Sequence, residues 1–179
     1  FWKSSSAIDK VEIKVVGQGD FSKEAWNICR VGMHSAEFNK SPGRSLGAVA
    51  GFTNELGFRV LGLISLNSDS CKLKTRDEHI GWNTVQRERN RECVVNLNVC
   101  CPSQPFGYNY LGGKFISLFV RHLIPVWEDK YKTKIVAIVS SSLHDGLGQY
   151  DGMYYWKKLG SSSGRMLIKP LRQEWQFWR

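Results

Sequence analysis

The chain has no apolar run long enough to cross a bilayer, no opening stretch of the signal-peptide type, no internal repeat and no low-complexity segment. With the first two absent, neither a transmembrane helix nor a secretory leader is expected, and the expectation is a cytoplasmic protein without a membrane partner. No CxxC pair occurs among the five cysteines, Cys29, Cys71, Cys93, Cys100 and Cys101, and the four histidines do not stand where they would complete a zinc site. Reduced thiols and no metal are therefore expected. An initiating methionine is missing as well, the first residue being Phe1, so residues 1–179 are expected to form a single domain belonging to a longer protein.

What is present is enough for one sizeable core: 179 residues, of which 42% are hydrophobic and 12% aromatic. Twenty-five Lys and Arg stand against 16 Asp and Glu, a formal net charge of +9 with pI about 9.4. That balance favours a polyanion, with DNA the natural candidate partner. The charge falls in clusters: Arg87, Arg89 and Arg91; then Lys157, Lys158, Arg165 and Lys169; then Arg172 and Arg179.

The centre of the chain runs from Phe106 to Ser142. A loop containing Asn109, Gly112, Gly113 and Lys114 leads into a predicted long helix on which Leu111, Phe115, Leu118, Phe119, His122, Leu123, Val126 and Trp127 recur at helical spacing. Pro125 should kink that helix or end it early, and His122 reads as a core histidine. The continuous run Ile135–Val139 then predicts a strand covered on both faces. Backbone N–H groups at Gly112, Gly113 and Lys114 would be free to receive an anion. The two glycines equally allow close packing of the helix on a sheet.

On either side, alternation over Val11–Val15 predicts a strand, and a helix follows with Asp20 or Ser22 as N-cap and a stripe of Phe21, Ala25, Ile28, Cys29, Gly32 and Met33. Leu46 to Phe52 and Phe58 to Leu66 flank a turn and predict an antiparallel hairpin. Thr75 to Asn83 shows no clean period; Asn83 then caps a short helix, with Gln86 at the capping-box position. Val95, Leu97 and Val99 alternate with Asn96 and Asn98 in a further strand, which Cys100, Cys101 and Pro102 should end. A last short strand is expected at Met166-Leu167-Ile168. This order predicts an α+β fold, a mixed and mainly antiparallel sheet flanked by helices with one central βαβ crossover.

Several separated motifs resemble a known family. Gly43-Arg44, Leu61-Gly62, Ile80-Gly81-Trp82 followed by Arg87 and Asn90, Asn109-Tyr110-Leu111-Gly112-Gly113-Lys114, the serines at 140 to 142, Gln149-Tyr150-Asp151 and Trp156-Lys157-Lys158-Leu159-Gly160 are similar to the DruA-like domain of Druantia antiphage systems and related phage proteins. A looser likeness joins the same half to the Mom DNA-modification protein of phage, which has a GNAT-like (N-acetyltransferase) fold. These resemblances imply an acetyltransferase-like architecture, a role in phage defence among other subunits, and transfer of an acyl-type group to a nucleobase amino group. They also imply acyl-CoA as donor, held at Asn109, Gly112, Gly113 and Lys114. That family's usual phosphate loop has a Gln or Arg leading into a spaced Gly-x-Gly or Gly-x-Ala, and this chain differs from it there. The rival implied role is a non-catalytic module binding DNA or a partner.

Candidate chemistry lies after the Ile135–Val139 run, at the carboxyl end of the expected parallel strand, where open sheets place ligands. Ser142, His144, Asp145, Tyr150 and Asp151 gather there. His144 or Asp145 would remove a proton from an amino group and Tyr150 would protonate a departing thiolate. The competing reading makes Asp145-Gly146 and Asp151-Gly152 ordinary turn dipeptides and Tyr150 a cover for the core. Trp82, Arg87, Arg89, Arg91, Lys157 and Lys158 are the candidate nucleic-acid contacts. Against them stands a short helix whose arginines pair with Glu88 and Glu92.

Overall fold

A computed structural model describes residues 10–34, 43–69, 73–104, 112–141 and 148–160. Five strands form one sheet in the order β1-β2-β3-β4-β5. They are β1 (Glu12–Val15), β2 (Ser45–Asn54), β3 (Gly57–Ser68), β4 (Val94–Pro102) and β5 (Ala137–Val139), antiparallel except for the parallel β4–β5 pair. The helices are α1 (Lys23–Met33), α2 (Lys74–Ile80), α3 (Thr84–Asn90), α4 (Gly112–Ser117) and α5 (Leu123–Tyr131). This is the mixed α+β plan expected.

The hairpin forms because Gly57, at φ 96°, accepts a backbone that other residues resist, and the Leu56 N–H donates to Asn54 Oδ1 at 3.0 Å. Period-two patterning then splits the core between the two faces of the sheet. On one, Trp26 of α1 packs over Val49, Leu63 and Val99; on the other, Ile116, Leu123 and Trp127 of α4 and α5 cover Ala48, Ile64, Leu66, Val95 and Leu97.

Several sequence expectations are corrected. The single long helix is two short ones joined by a 3-10 turn at Val120–His122. Pro125 explains the break: in a continuous helix its ring would meet the Arg121 carbonyl, whereas in the first turn of α5 its missing N–H costs nothing. The altered phase turns Leu118 and His122 outward, so His122 is not a core histidine. The Ile135–Val139 run supplies only the three half-buried residues of β5, and Val136 is 69% exposed. Among the described residues β5 pairs with β4 alone, so in the described sheet the crossover lies at an edge and not at the centre.

Helix α1 is capped by Ser22, and Phe21, Cys29 and Met33 of the expected stripe pack on the core; it also buries Arg30 and Trp26, whose ring lies on β2 where Gly47 lacks a Cβ, and it leaves Ile28 exposed. Cys100, Cys101 and Pro102 extend β4 instead of ending it, paired with Ile64, Leu63 and Gly62. Thr75 to Ile80 is helical despite its weak period, because α2 closes on Gly81 in the left-handed region with its N–H on the Asp77 carbonyl. The Met166–Ile168 strand lies outside the described residues.

Candidate functional site

β5 pairs only with Val94, Val95 and Asn96, and the Ser140 hydroxyl donates to the Leu97 carbonyl at 3.2 Å. Beyond that point β4 runs on to Pro102 without β5 beside it, and residues 148–160 enter the opening. Gln149 Nε2 donates to the Cys100 carbonyl at 3.3 Å and also to the Tyr150 hydroxyl. The Tyr150 ring lies on Trp156 with centroids 4.2 Å apart and planes 14° off parallel. Tyr150 is thus half-buried, with its oxygen within hydrogen-bonding reach of Ser140, Gln149 and Cys100.

Helix α4 forms the other wall. Cys100 Sγ donates to the Gly113 carbonyl at 3.6 Å, and the Gln149 side chain occupies the space that a Cβ at Gly113 would need. Gly112 sits at φ 51°. Lys114 Nζ donates to the Asp151 carbonyl at 2.6 Å, joining the start of α4 to the turn. The Asp151 carboxylate accepts the Gly148 N–H at 2.9 Å and lies 3.9 Å from Lys158 Nζ. Asp151 therefore closes its own turn, and Gly113 is close-packed against Gln149 rather than against the sheet.

Burial pushes the Cys100 thiol up to about 12, with Tyr150 as neighbour. Burial, with Cys100 beside it, also raises the Tyr150 phenol above its ordinary value of 10.0. Both groups are neutral through the physiological range, so neither is a thiolate or phenolate nucleophile there. Because the folded pKa values lie above the unfolded ones, the stability these two groups contribute is full below about pH 9 and falls as the unfolded chain ionises first at higher pH. In urea titrations, Tyr150→Phe is expected to flatten the loss of stability between about pH 9 and 11 relative to the parent chain; equal slopes would show that Tyr150 is not so held.

A second cluster lies around α2 and α3. Arg76 bridges two carboxylates, donating to Asp69 and, at 2.6 and 2.8 Å, to Asp77. Arg87 approaches the other Asp77 oxygen at 3.5 Å, and the Arg76 guanidinium stands 5.8 Å from the centre of the half-buried Trp82 ring. Asn83 caps α3 through the reciprocal box with Gln86, at 2.9 and 3.0 Å. Arg87 is thus bound to the body of the protein and Trp82 is packed as an anchor, while Arg89 and Arg91 are exposed and make no ion pair among the described residues. The expected pairing of these arginines with Glu88 and Glu92 is replaced: Glu92 pairs with Arg44 at 3.2 Å.

Of the sequence candidates, the fold brings together Gly112, Gly113, Lys114, Tyr150, Asp151 and Lys158; Trp82, Arg87, Arg89 and Arg91 form a separate group, and Lys157 is exposed. Asn109, Ser142, His144 and Asp145 lie outside the described residues. Among the described residues no group of His, Cys, Asp and Glu is placed to hold a metal, and no helix is long and apolar enough to cross a membrane. Sequence reasoning missed Cys100 and Gln149, whose roles exist only through contacts with Tyr150 and Gly113. It also missed Asp69, Arg76 and Asp77, where the charges alternate too closely to suggest burial.

A family model described as Druantia protein DruA matches residues 4–168, a span wider at both ends than the motif-bearing stretch from about Gly43 to Gly164. Neither a curated protein nor a solved structure matches the chain.

Proposed function

We propose that this chain, which belongs to the Druantia protein DruA family and is thereby related to phage defence, engages DNA in the cytoplasm as a binding module of a defence assembly. The observation that carries this reading is a set of exposed cations, Arg89, Arg91 and Lys157, with no acidic partner among the described residues, on a chain of net charge +9. Cations left unpaired are the ones able to displace counterions from phosphates. Arg87, held by Asp77, positions the helix that carries Arg89. A salt titration of DNA binding tests the reading. Replacing Arg89 and Arg91 together by alanine is expected to lower the slope of log affinity against log salt by about two, one unit for each lost phosphate contact. Absence of binding by the parent chain at low salt would remove the proposal.

A second reading is group transfer to a nucleobase amino group, and Tyr150 is the observation in its favour: a phenol kept protonated at the mouth between two parallel strands is suited to proton donation. The residues at 112–114 do not fit the pyrophosphate of coenzyme A as they stand. Gln149 fills the flank of Gly113, and the Lys114 ammonium is engaged by Asp151. Digesting DNA to nucleosides after incubation with the protein and acyl-CoA donors, followed by mass spectrometry, checks this reading. Unmodified bases with every donor would leave the binding module alone.

A further inference from the structure

The segment that lines the Tyr150 opening also builds a surface. Its backbone bonds recur every three residues, Met153 N–H to the Tyr150 carbonyl and Trp156 N–H to the Met153 carbonyl, each 3.1 Å. That spacing turns Tyr150, Met153 and Trp156 inward, Tyr150 stacked on Trp156 and Met153 Sδ 3.3 Å from the Ser117 hydroxyl. It leaves Tyr154 and Tyr155 outside, 94% and 86% exposed, with ring centroids 5.1 Å apart and planes 89° to one another. The segment is tied to the body of the protein by Lys114 on the Asp151 carbonyl and by Gln149 on the Cys100 carbonyl. Two large aromatic rings held in water on a tethered turn are pre-ordered for a flat ligand, and the exposed Lys157 follows them beyond Trp156.

We infer that Tyr154 and Tyr155, with Lys157, form a stacking platform for single-stranded DNA. This rests on the DNA-engaging reading above and narrows it to a class of substrate. Bases free of a partner strand expose the π-faces that tyrosine rings stack on, and the backbone of the same strand supplies phosphates to Lys157. In a duplex those faces are covered by neighbouring base pairs, so the duplex gains only the charge contacts.

The test is fluorescence anisotropy on the whole chain with three labelled probes of equal length: oligothymidine, a DNA duplex and oligouridine. Y154A/Y155A is expected to weaken oligothymidine binding by about tenfold or more, as loss of base stacking does, while duplex binding stays within about twofold. Y154F/Y155F, which keeps the rings, should bind as the parent does. The high exposure of both residues predicts unchanged thermal melting, which verifies that the variants are folded. Unchanged oligothymidine binding in the alanine variant, an equal loss with the duplex, or a phenylalanine variant as weak as alanine overturns the platform while leaving the DNA reading intact. Tighter binding of oligouridine than of oligothymidine overturns the assignment to DNA. A parent chain that binds none of the probes overturns the DNA reading and the platform with it.

Discussion

Arg76→Met is expected to lower the free energy of unfolding by about 3–5 kcal/mol, because it leaves a buried charge without its counter-charge. The side chains of Arg76 and Asp69 are 3% and 1% exposed, so water cannot take over from the lost guanidinium. Asp69 carries most of the cost. Its Oδ2 is bound to Arg76, and its Oδ1 has no hydrogen-bond partner among the described residues. Asp77 retains Arg87 at 3.5 Å. Adding Asp69→Asn to Arg76→Met removes the orphaned charge and should recover a large part of the loss, which urea denaturation of the two variants measures. A double variant no more stable than the single one would mean that lost packing, not charge, sets the penalty. The network also joins the end of β3 to α2 and α3, since Asp77 accepts the Trp82 N–H at 2.9 Å through its carbonyl. Arg76→Met is therefore expected to weaken DNA binding through misplacement of Arg89 and Arg91, although Arg76 itself is buried.

Gly62→Ala is expected to cost about 2–3 kcal/mol, near the upper end for overpacking a dense interior. An added Cβ would lie 2.7 Å from Ile116 Cδ1 and 2.8 Å from the Cys101 carbonyl oxygen. Ile116 is fully buried and is the residue by which α4 sits on the sheet. Relief requires α4 to lift, which moves Gly113 and Lys114 away from Gln149 and Asp151. Shortening the opposed side chain in Gly62→Ala/Ile116→Val should return part of the stability but not all of it, since the backbone oxygen of Cys101 cannot withdraw. Loss of less than about half a kcal/mol in the single variant, within the usual range for surface changes, would show that the helix moves freely there.

Local chemistry was readable wherever its causes were near in sequence. Ser22 as N-cap, the Asn83–Gln86 capping box and the hairpin turn closing on Gly57 depend on residues within a few positions of one another, and each is found where the pattern put it. Membership in the family was carried by short motifs in order, which survive in a linear string. Errors arose where distant neighbours decide. An apolar run such as Ile135–Val139 reads the same in an edge strand as in a central one, because burial comes from strands and helices far along the chain. Likewise Phe21, Cys29 and Met33 of the expected α1 stripe face the core, but the burial of Trp26 beside them depends on the room that Gly47 of β2 leaves for its ring.

The opening around Tyr150 shows the same division. From sequence alone Gly112, Gly113 and Lys114 offered an anion site or a packing contact, and Tyr150 a proton donor or a core cover. Cys100 and Gln149 stand in separate parts of the chain, and only the shortness of β5 brings the turn carrying Gln149 and Tyr150 against β4 and α4. The sequence by itself determined an α+β domain, its basic charge, its caps and turns, and its family. The tertiary structure alone decided that Gly113 packs on Gln149, that Lys114 bonds Asp151, that Arg76 is buried between carboxylates and that Tyr154 and Tyr155 face water. Hydrophobic period and turn chemistry are properties of neighbouring residues, whereas desolvation and steric fit are properties of whichever surfaces the fold brings into contact.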